Sequence, residues 1–260
     1  MHNSGLSKYF ESFRHDNMIK FEINCDLGEG FGNESELMPY IQSCNIACGG
    51  HAGNKKLMKE IVMLAIKHRV KIGAHPSYPD KVNFGRKTMD LRKDELNQSI
   101  QNQIRNLKSI VERQGAELHH IKPHGALYHD IATSDEFSLF FLRIISEYKA
   151  TIKLYVPFNS FIEKNAINNG FSIFREAFAD RNYNDDLSLV SREYPGAIIV
   201  DPDLIAKRVL KMVQKKMVTS VTGNEVRIEA DTFCIHSDSV NAIKNVKKMY
   251  QLKKTNYCFE

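Results

Sequence analysis

Short apolar runs alternate along the chain with longer segments whose apolar positions recur every three or four residues. The runs at 19–25, 44–48, 70–74, 117–121, 152–156, 171–178 and 233–235 read as strands. Between them, Leu57, Ile61, Leu64 and Ala65 mark a helix over 55–69, and Leu96, Ile100, Ile104, Leu107 and Val111 mark a longer one that stops near Gly115. Further helices are predicted over 134–148, with Ser134 and Asp135 as capping residues, over 158–169 and over 203–217. A short one is expected at 38–40, and a last one carries Val240, Ile243, Val246 and Met249 on its stripe. Runs at 218–221 and 225–228 around Thr222-Gly223-Asn224 read as a β-hairpin inserted outside the main alternation.

Repeated β-α alternation of this kind predicts a parallel sheet, and about seven strands in 260 residues favour a closed α/β barrel over an open sheet. No linker or composition shift divides the chain. Residues 1–17 read as a polar extension without the features of a secretory leader, Met18 as a second candidate start, and 18–260 as a single domain.

The stretch Asn45-Ile46-Ala47-Cys48-Gly49-Gly50-His51-Ala52-Gly53-Asn54 shows the repeating unit. An apolar run enters a glycine-rich turn that carries one polar side chain, and a helix follows with Asn54 as its N-cap. Parallel barrels build their sites from such turns at strand C-termini.

Composition narrows the classes. With 42% hydrophobic and 26% charged residues the chain is an ordinary globular one, and its apolar runs fall short of the ~18 residues of a membrane span. The net charge of +5 arises from lysines scattered beside Glu and Asp, the pattern of a solvated surface and not of a nucleic-acid site. Five cysteines, an odd number placed mostly in strand-like runs, suit reduced buried thiols in a cytoplasmic enzyme. Cys44, Cys48 and His51 lack the second ligand pair of a structural zinc site. Gly28-Glu29-Gly30-Phe31-Gly32 lacks the third glycine of a dinucleotide fingerprint. Gly85-Arg86-Lys87-Thr88 has Asp80 where a phosphate-binding loop needs its first glycine.

Polar residues cluster at or just past the predicted strand ends: Asp26 and Glu29, Asn45 and His51, His75, Lys122 and His124, Glu176 and Asp180, His236 and Asp238. In a parallel barrel these ends meet at one mouth, and several histidines with carboxylates suit proton transfer, metal binding or both. Asp26, His51, His75 and His124 are the candidate catalytic groups, with Asp26, His51 and His75 as the ligand set if a divalent metal is bound. Asn45, Arg86, Lys122, Tyr128, Glu176, Asp180, Arg181 and His236 are the candidate substrate contacts; guanidinium groups such as those of Arg86 and Arg181 suit a planar carboxylate. A salt bridge at the strand end is the alternative role for Lys122, an ion pair with Asp180 for Arg181, and packing under the rim for Tyr128.

Seven segments together carry a resemblance: Asn24-Cys25-Asp26-Leu27-Gly28-Glu29, Asn45-Ile46-Ala47-Cys48-Gly49, His51-Ala52-Gly53, Gly73-Ala74-His75-Pro76-Ser77-Tyr78-Pro79-Asp80, Phe84-Gly85-Arg86, Lys122-Pro123-His124-Gly125-Ala126-Leu127-Tyr128 and Phe178-Ala179-Asp180-Arg181. In this order they resemble the LamB/YcsF family, from about Lys20 to the C-terminal helix. The resemblance implies a distorted seven-stranded (β/α) barrel similar to the glycoside hydrolase and polysaccharide deacetylase barrels. It also implies ATP-dependent opening of the lactam 5-oxo-L-proline to L-glutamate, performed with partner subunits B and C. The nucleotide step is expected to involve a partner, and association into a homo-oligomer is left open. Two other readings remain: a stand-alone metal-dependent deacetylase or amidohydrolase acting on a carboxylated amide, and a subunit that binds the lactam without catalysis. Three positions depart from the family pattern, which usually has a bulky residue at Gly50, Asp at Asn54 and Gly at Ser237.

Overall fold

The computed structural model describes residues 21–254. The polar extension, Met18, the first residues of the run predicted to start at 19, and Cys258 lie outside this range. Strands β1 (Glu22–Leu27), β2 (Ser43–Ala47), β3 (Lys71–His75), β4 (Leu118–Ile121), β5 (Lys153–Pro157), β6 (Ile173–Phe178) and β9 (Thr232–Cys234) form a closed barrel. All its pairings are parallel, and β9 closes it between β6 and β1. The inserted antiparallel hairpin is present as β7 (Met217–Thr219) and β8 (Glu225–Arg227), its first strand starting one residue earlier and ending sooner than the sequence pattern suggests.

Eight helices complete the described chain: α1 (Glu34–Leu37), α2 (Lys55–His68), α3 (Lys93–Arg113), α4 (Gly125–Thr133), α5 (Asp135–Ile144), α6 (Phe161–Asn168), α7 (Pro202–Lys215) and α8 (Ala242–Lys254). The predicted stripe of α3, from Leu96 to Val111, is buried, and each such side chain contributes about 1.5–3 kcal/mol over an exposed one. Asn54 caps α2 by accepting from the Leu57 N–H, and Ser134 caps α5 by accepting from that of Phe137. The helix predicted over 134–148 is α5 followed by a separate 3₁₀ turn, Ser146–Tyr148. Helix α4 has no counterpart in the sequence pattern. It opens on Gly125 at φ +55° without a capping side chain, and burial of Ala126, Leu127, Tyr128 and Ile131 outweighs that poor start.

The barrel interior is polar. Successive strand residues face opposite sides of a sheet, and here the apolar set (Ile23, Cys25, Cys44, Ile46, Ile72, Ala74, Ile121, Leu154, Val156) belongs to the outer face, towards the helices. The other parity brings hydrogen-bonding groups inside. Asn24 Nδ2 donates to Thr232 Oγ1 at 3.0 Å, Asn45 Nδ2 to Asn24 Oδ1 at 2.8 Å, and Tyr155 Oη to Ser43 Oγ at 3.2 Å. His120 reaches Asn45 Oδ1 at 2.6 Å through Nε2 and stacks on Tyr155 with ring centroids 4.0 Å apart. Gly73 leaves room for that imidazole, because a Cβ there would overlap the ring.

Gly73→Ala is therefore expected to cost about 1–3 kcal/mol by overpacking and to lower the melting temperature; an unchanged melting temperature would show that the His120 ring is not tightly held. The histidines here also impose a pH dependence. Burial, with Lys71 and Lys153 nearby, pushes the His119 imidazole down to about 4, and burial with His119 holds His120 well below its ordinary value. Both are neutral in the fold, whereas the unfolded chain takes up protons below about 6.5. Their contribution is present above that value and lost as pH falls towards about 4. The urea midpoint should fall between pH 7 and 5, and a flat midpoint would contradict these assignments.

Candidate active site

Asp26, His75, Lys122, Glu176 and Cys234 stand at or near the C-terminal ends of barrel strands, above the Asn24–Asn45–His120–Tyr155 network. Lys122 is fully buried, with its ammonium 2.9 Å from Asp26 Oδ1, 2.8 Å from Glu176 Oε1 and 3.1 Å from Cys234 Sγ. Burial alone would lower its pKa, but Asp26 and Glu176 hold it well above the usual lysine range. Likewise, burial alone would raise the Asp26 carboxyl, yet His75 and Lys122 keep it well below the usual carboxylate range. Asn45 Nδ2 donates to the same Asp26 Oδ1 at 2.7 Å, and Ser237 Oγ donates to the Asp26 backbone carbonyl at 2.6 Å. Ser237, one of the departures from the family pattern, thus adds a bond to the end of the strand that carries the carboxylate.

Three histidines gather on the β1–β4 side of the mouth. His75 Nδ1 bonds the Lys122 carbonyl at 2.7 Å, and its Nε2 lies 3.4 Å from Asp26 Oδ2. His124 Nε2 bonds the Phe84 carbonyl at 2.9 Å, and its Nδ1 lies 3.0 Å from His75 Nε2. Phe84 holds that carbonyl from a left-handed backbone, φ +56°, a strained conformation of a kind that collects at functional sites. His51 bonds Glu29 Oε1 at 2.9 Å through Nε2 and stacks on His124 with centroids 3.7 Å apart; its buried Nδ1 has no hydrogen-bond partner among the described residues. Burial lowers the pKa of both His51 and His124, so both rings favour the neutral form. Gly50, a second departure, sits in this turn, where a Cβ would overlap Ser77 and Gln103.

A second cluster lines the rim. His236 Nδ1 and backbone N–H both meet the Asp180 carboxylate at 2.9 Å, which leaves Nε2 as the free face of the ring. Arg86 and Arg192 both donate to Asp238 Oδ2 at 2.7 Å. Arg181 makes no hydrogen bond to Asp180: its Nη2 donates to the Val190 carbonyl at 2.6 Å, its Nε is buried without a partner among the described residues, and burial beside Arg192 lowers it to about 10. Arg86 and Arg192 share the single Asp238 carboxylate, and with Arg181 beside Arg192 they give the rim guanidinium groups that suit an anion.

Beside Glu176, between α4 and residues 157–160 and 186–189, lies a cavity of about 230 Å³ walled by Tyr128, Phe158, Glu176, Phe178, Tyr183 and Leu189, among others. Asp26 and the three clustered histidines are not in its wall, so it meets the charged floor through Glu176. The Tyr128 hydroxyl, raised by burial and the neighbouring Glu176 carboxylate, lacks a well-formed hydrogen bond among the described residues. Both oxygens of Glu176 lack one too, although Oε1 pairs with Lys122 by charge.

Two groups of side chains have the donor types and closeness for a cation: Glu29, His51, His75 and His124, with one ligand atom each all within 4.8 Å of one another, and Asp26, Cys234 and His236. His51 and His75 thus fall together, but with Glu29 and His124, while Asp26 falls in the other group. The sequence pattern draws attention to Glu29 without giving it a role and passes over Asn24, His120 and Cys234. Strand parity is the signal for these three, since each lies two residues before Asp26, Lys122 or His236. The described cysteines are free and buried, and no described helix is long and apolar enough to cross a membrane.

Comparison with known proteins places these residues in a familiar frame. The model of the LamB/YcsF family matches residues 21–258. The 5-oxoprolinase A-type subunit of Bacillus cereus (strain AH820) is 38% identical over 246 residues, covering 92% of this chain and 97% of the relative. A protein of the same name from Bacillus anthracis is 38% identical over 241 residues, covering 90% and 95%. Among solved structures, the lactam utilization protein from Thermus thermophilus superposes with a TM-score of 0.83 at 34% identity, covering 90% of this chain and 96% of its own. With its seven-stranded barrel and the family model matched across nearly the whole described chain, this protein belongs to the LamB/YcsF family.

Proposed function

We propose that the chain is the lactam-opening component of an ATP-dependent 5-oxoprolinase, converting 5-oxo-L-proline to L-glutamate with partner subunits B and C. The observation that carries this reading is the buried Asp26 carboxylate, held by the Lys122 ammonium at 2.9 Å and by Asn45 at 2.7 Å, in a mouth that also carries the Arg86–Arg192 pair. The names of the B. cereus and T. thermophilus relatives support the substrate class.

A five-membered lactam is a stabilised amide with a small body, one N–H, one carbonyl and one carboxylate. In this reading the carboxylate takes the Arg86–Arg192–Arg181 rim, and the ring points down towards Lys122 and the Tyr128–Glu176 wall. Asp26, paired with the Lys122 ammonium at 2.9 Å, takes the proton from the attacking water. Lys122 supplies positive charge beside the developing oxyanion. His236, oriented by Asp180, presents Nε2 as the proton donor to the departing ring nitrogen. ATP enters by phosphorylation of the lactam oxygen on a partner, consistent with the lack of a nucleotide-binding loop motif in this sequence. Water adds to the activated carbon, the C–N bond breaks as nitrogen is protonated, and the resulting acyl phosphate is hydrolysed to glutamate and phosphate. A divalent ion on the Glu29–histidine group would add Lewis acidity when bound. That group also favours a second reading, an ATP-independent metal amidohydrolase.

The test incubates the chain with 5-oxo-L-proline and ATP, alone and with its cognate partners, and follows glutamate and ADP. Glutamate in step with ADP is expected only in the complete mixture. Glutamate from the chain alone without ATP would favour the amidohydrolase, and none from a folded, assembled complex would overturn both. Within the complex, Asp26→Asn should lower kcat at least ~100-fold. Arg86→Ala should instead raise KM about tenfold, the loss of one charge-assisted hydrogen bond.

A further inference from the structure

The His75–His124 contact contains a conflict that hydrogen positions alone resolve poorly. A backbone carbonyl only accepts hydrogen bonds, so the Lys122 carbonyl requires N–H at His75 Nδ1, and the Phe84 carbonyl requires N–H at His124 Nε2. Each neutral ring then has its lone pair on the other nitrogen. Those two nitrogens, His75 Nε2 and His124 Nδ1, face each other at 3.0 Å. Two lone pairs at this distance repel unless a cation, either a proton or a metal ion, lies with them.

The surroundings favour the metal ion. Glu29 Oε1 lies 3.4 Å from His124 Nδ1 and 3.9 Å from His75 Nε2. Nitrogen and oxygen ligands about 2.0–2.1 Å from one ion stand roughly 3–4 Å from each other, so these spacings match a shared ion after small shifts. The Lys122 ammonium faces Asp26 and Glu176, and Glu29 adds a third carboxyl beside the histidines with no ammonium of its own, an acidic surplus for a dication to offset.

His51 plays a different part, although its Nε2 is close. Its ring is stacked on that of His124 at 5° between planes. An ion in line with the His124 Nδ1 lone pair lies in the His124 plane and therefore outside the His51 plane, where His51 has no lone pair to offer. The 2.9 Å bond from His51 instead holds Glu29 Oε1 in place.

We infer that His75 Nε2, His124 Nδ1 and a Glu29 carboxylate oxygen bind one divalent transition-metal ion, with His51 as the positioning residue for Glu29. Two imidazoles and a carboxylate suit Zn²⁺, Co²⁺ or a neighbour in that series and leave positions for water or substrate. The inference concerns ion binding and does not depend on the proposed reaction.

The test uses the full chain stripped by a chelator and titrated with Co²⁺, read by its visible d–d absorption, followed by displacement with Zn²⁺. One equivalent of cobalt should bind at micromolar concentration and be displaced by zinc. His75→Asn and His124→Gln each retain an N–H donor for the carbonyl while removing the ligand nitrogen, and should weaken binding at least ~100-fold. His51→Asn should weaken it by a smaller factor, about tenfold. Glu29→Gln gives the same readout if an imidazole variant does not fold by circular dichroism. No cobalt bound at micromolar concentration, or equal affinity in the folded ligand variants, would overturn the assignment and leave a shared proton between the rings.

Discussion

The Lys122 ammonium, buried between Asp26 and Glu176, is the interaction on which the rest of the mouth depends. It spans the barrel interior from β4 to β1 and β6, so it ties strands that are not neighbours in the sheet. A buried ion pair of this type adds little net stability relative to apolar packing, yet removal of one partner leaves an uncompensated charge and costs about 3–5 kcal/mol. The arrangement is therefore costly to maintain for stability alone. Its consequence is an Asp26 that remains a carboxylate in a site where burial would otherwise protonate it.

The polar layer below makes that placement reproducible. Asn24, Asn45 and His120 connect through hydrogen bonds, and Asn45 also donates to Asp26, so the carboxylate is fixed from beneath as well as from Lys122. Ordinary parallel barrels fill this space with branched apolar side chains. Here the apolar side chains face the helices, and the interior acts as a hydrogen-bonded support for the site. The short strands, only three residues in β9, leave Lys122, His124, Asp180 and His236 on the turns just past strand ends. Those turns are held by side chains, as Ser237 shows at the Asp26 carbonyl.

Much of this architecture is legible in the sequence because barrel strands and helices have different apolar periods. The strand-end residues Asp26, His75 and Lys122 stand out for the same reason: polar groups interrupt apolar runs next to glycine or proline. Helix α4 is hidden because tertiary burial, not capping or propensity, makes it. His120 and Asn24 are hidden by the expectation of an apolar interior, although their parity with Lys122 and Asp26 points inward. The relation of Glu29 to His51, His75 and His124 requires coordinates, since it arises where loops from four strand ends meet. The pairing of Arg86 and Arg192 on Asp238 likewise joins positions 152 and 46 residues apart, a distance over which no local pattern acts.

The central claim is that the barrel mouth, from the charged floor at Asp26 and Lys122 to the arginine rim, is where the lactam sits. A crystal structure of the protein soaked with 5-oxo-L-proline tests it most directly. The account predicts density for the lactam within hydrogen-bond reach of Lys122 or Glu176, with its carboxylate on Arg86 or Arg192. A lactam bound outside the mouth, or a mouth that stays closed to it at saturating concentration, would contradict the account.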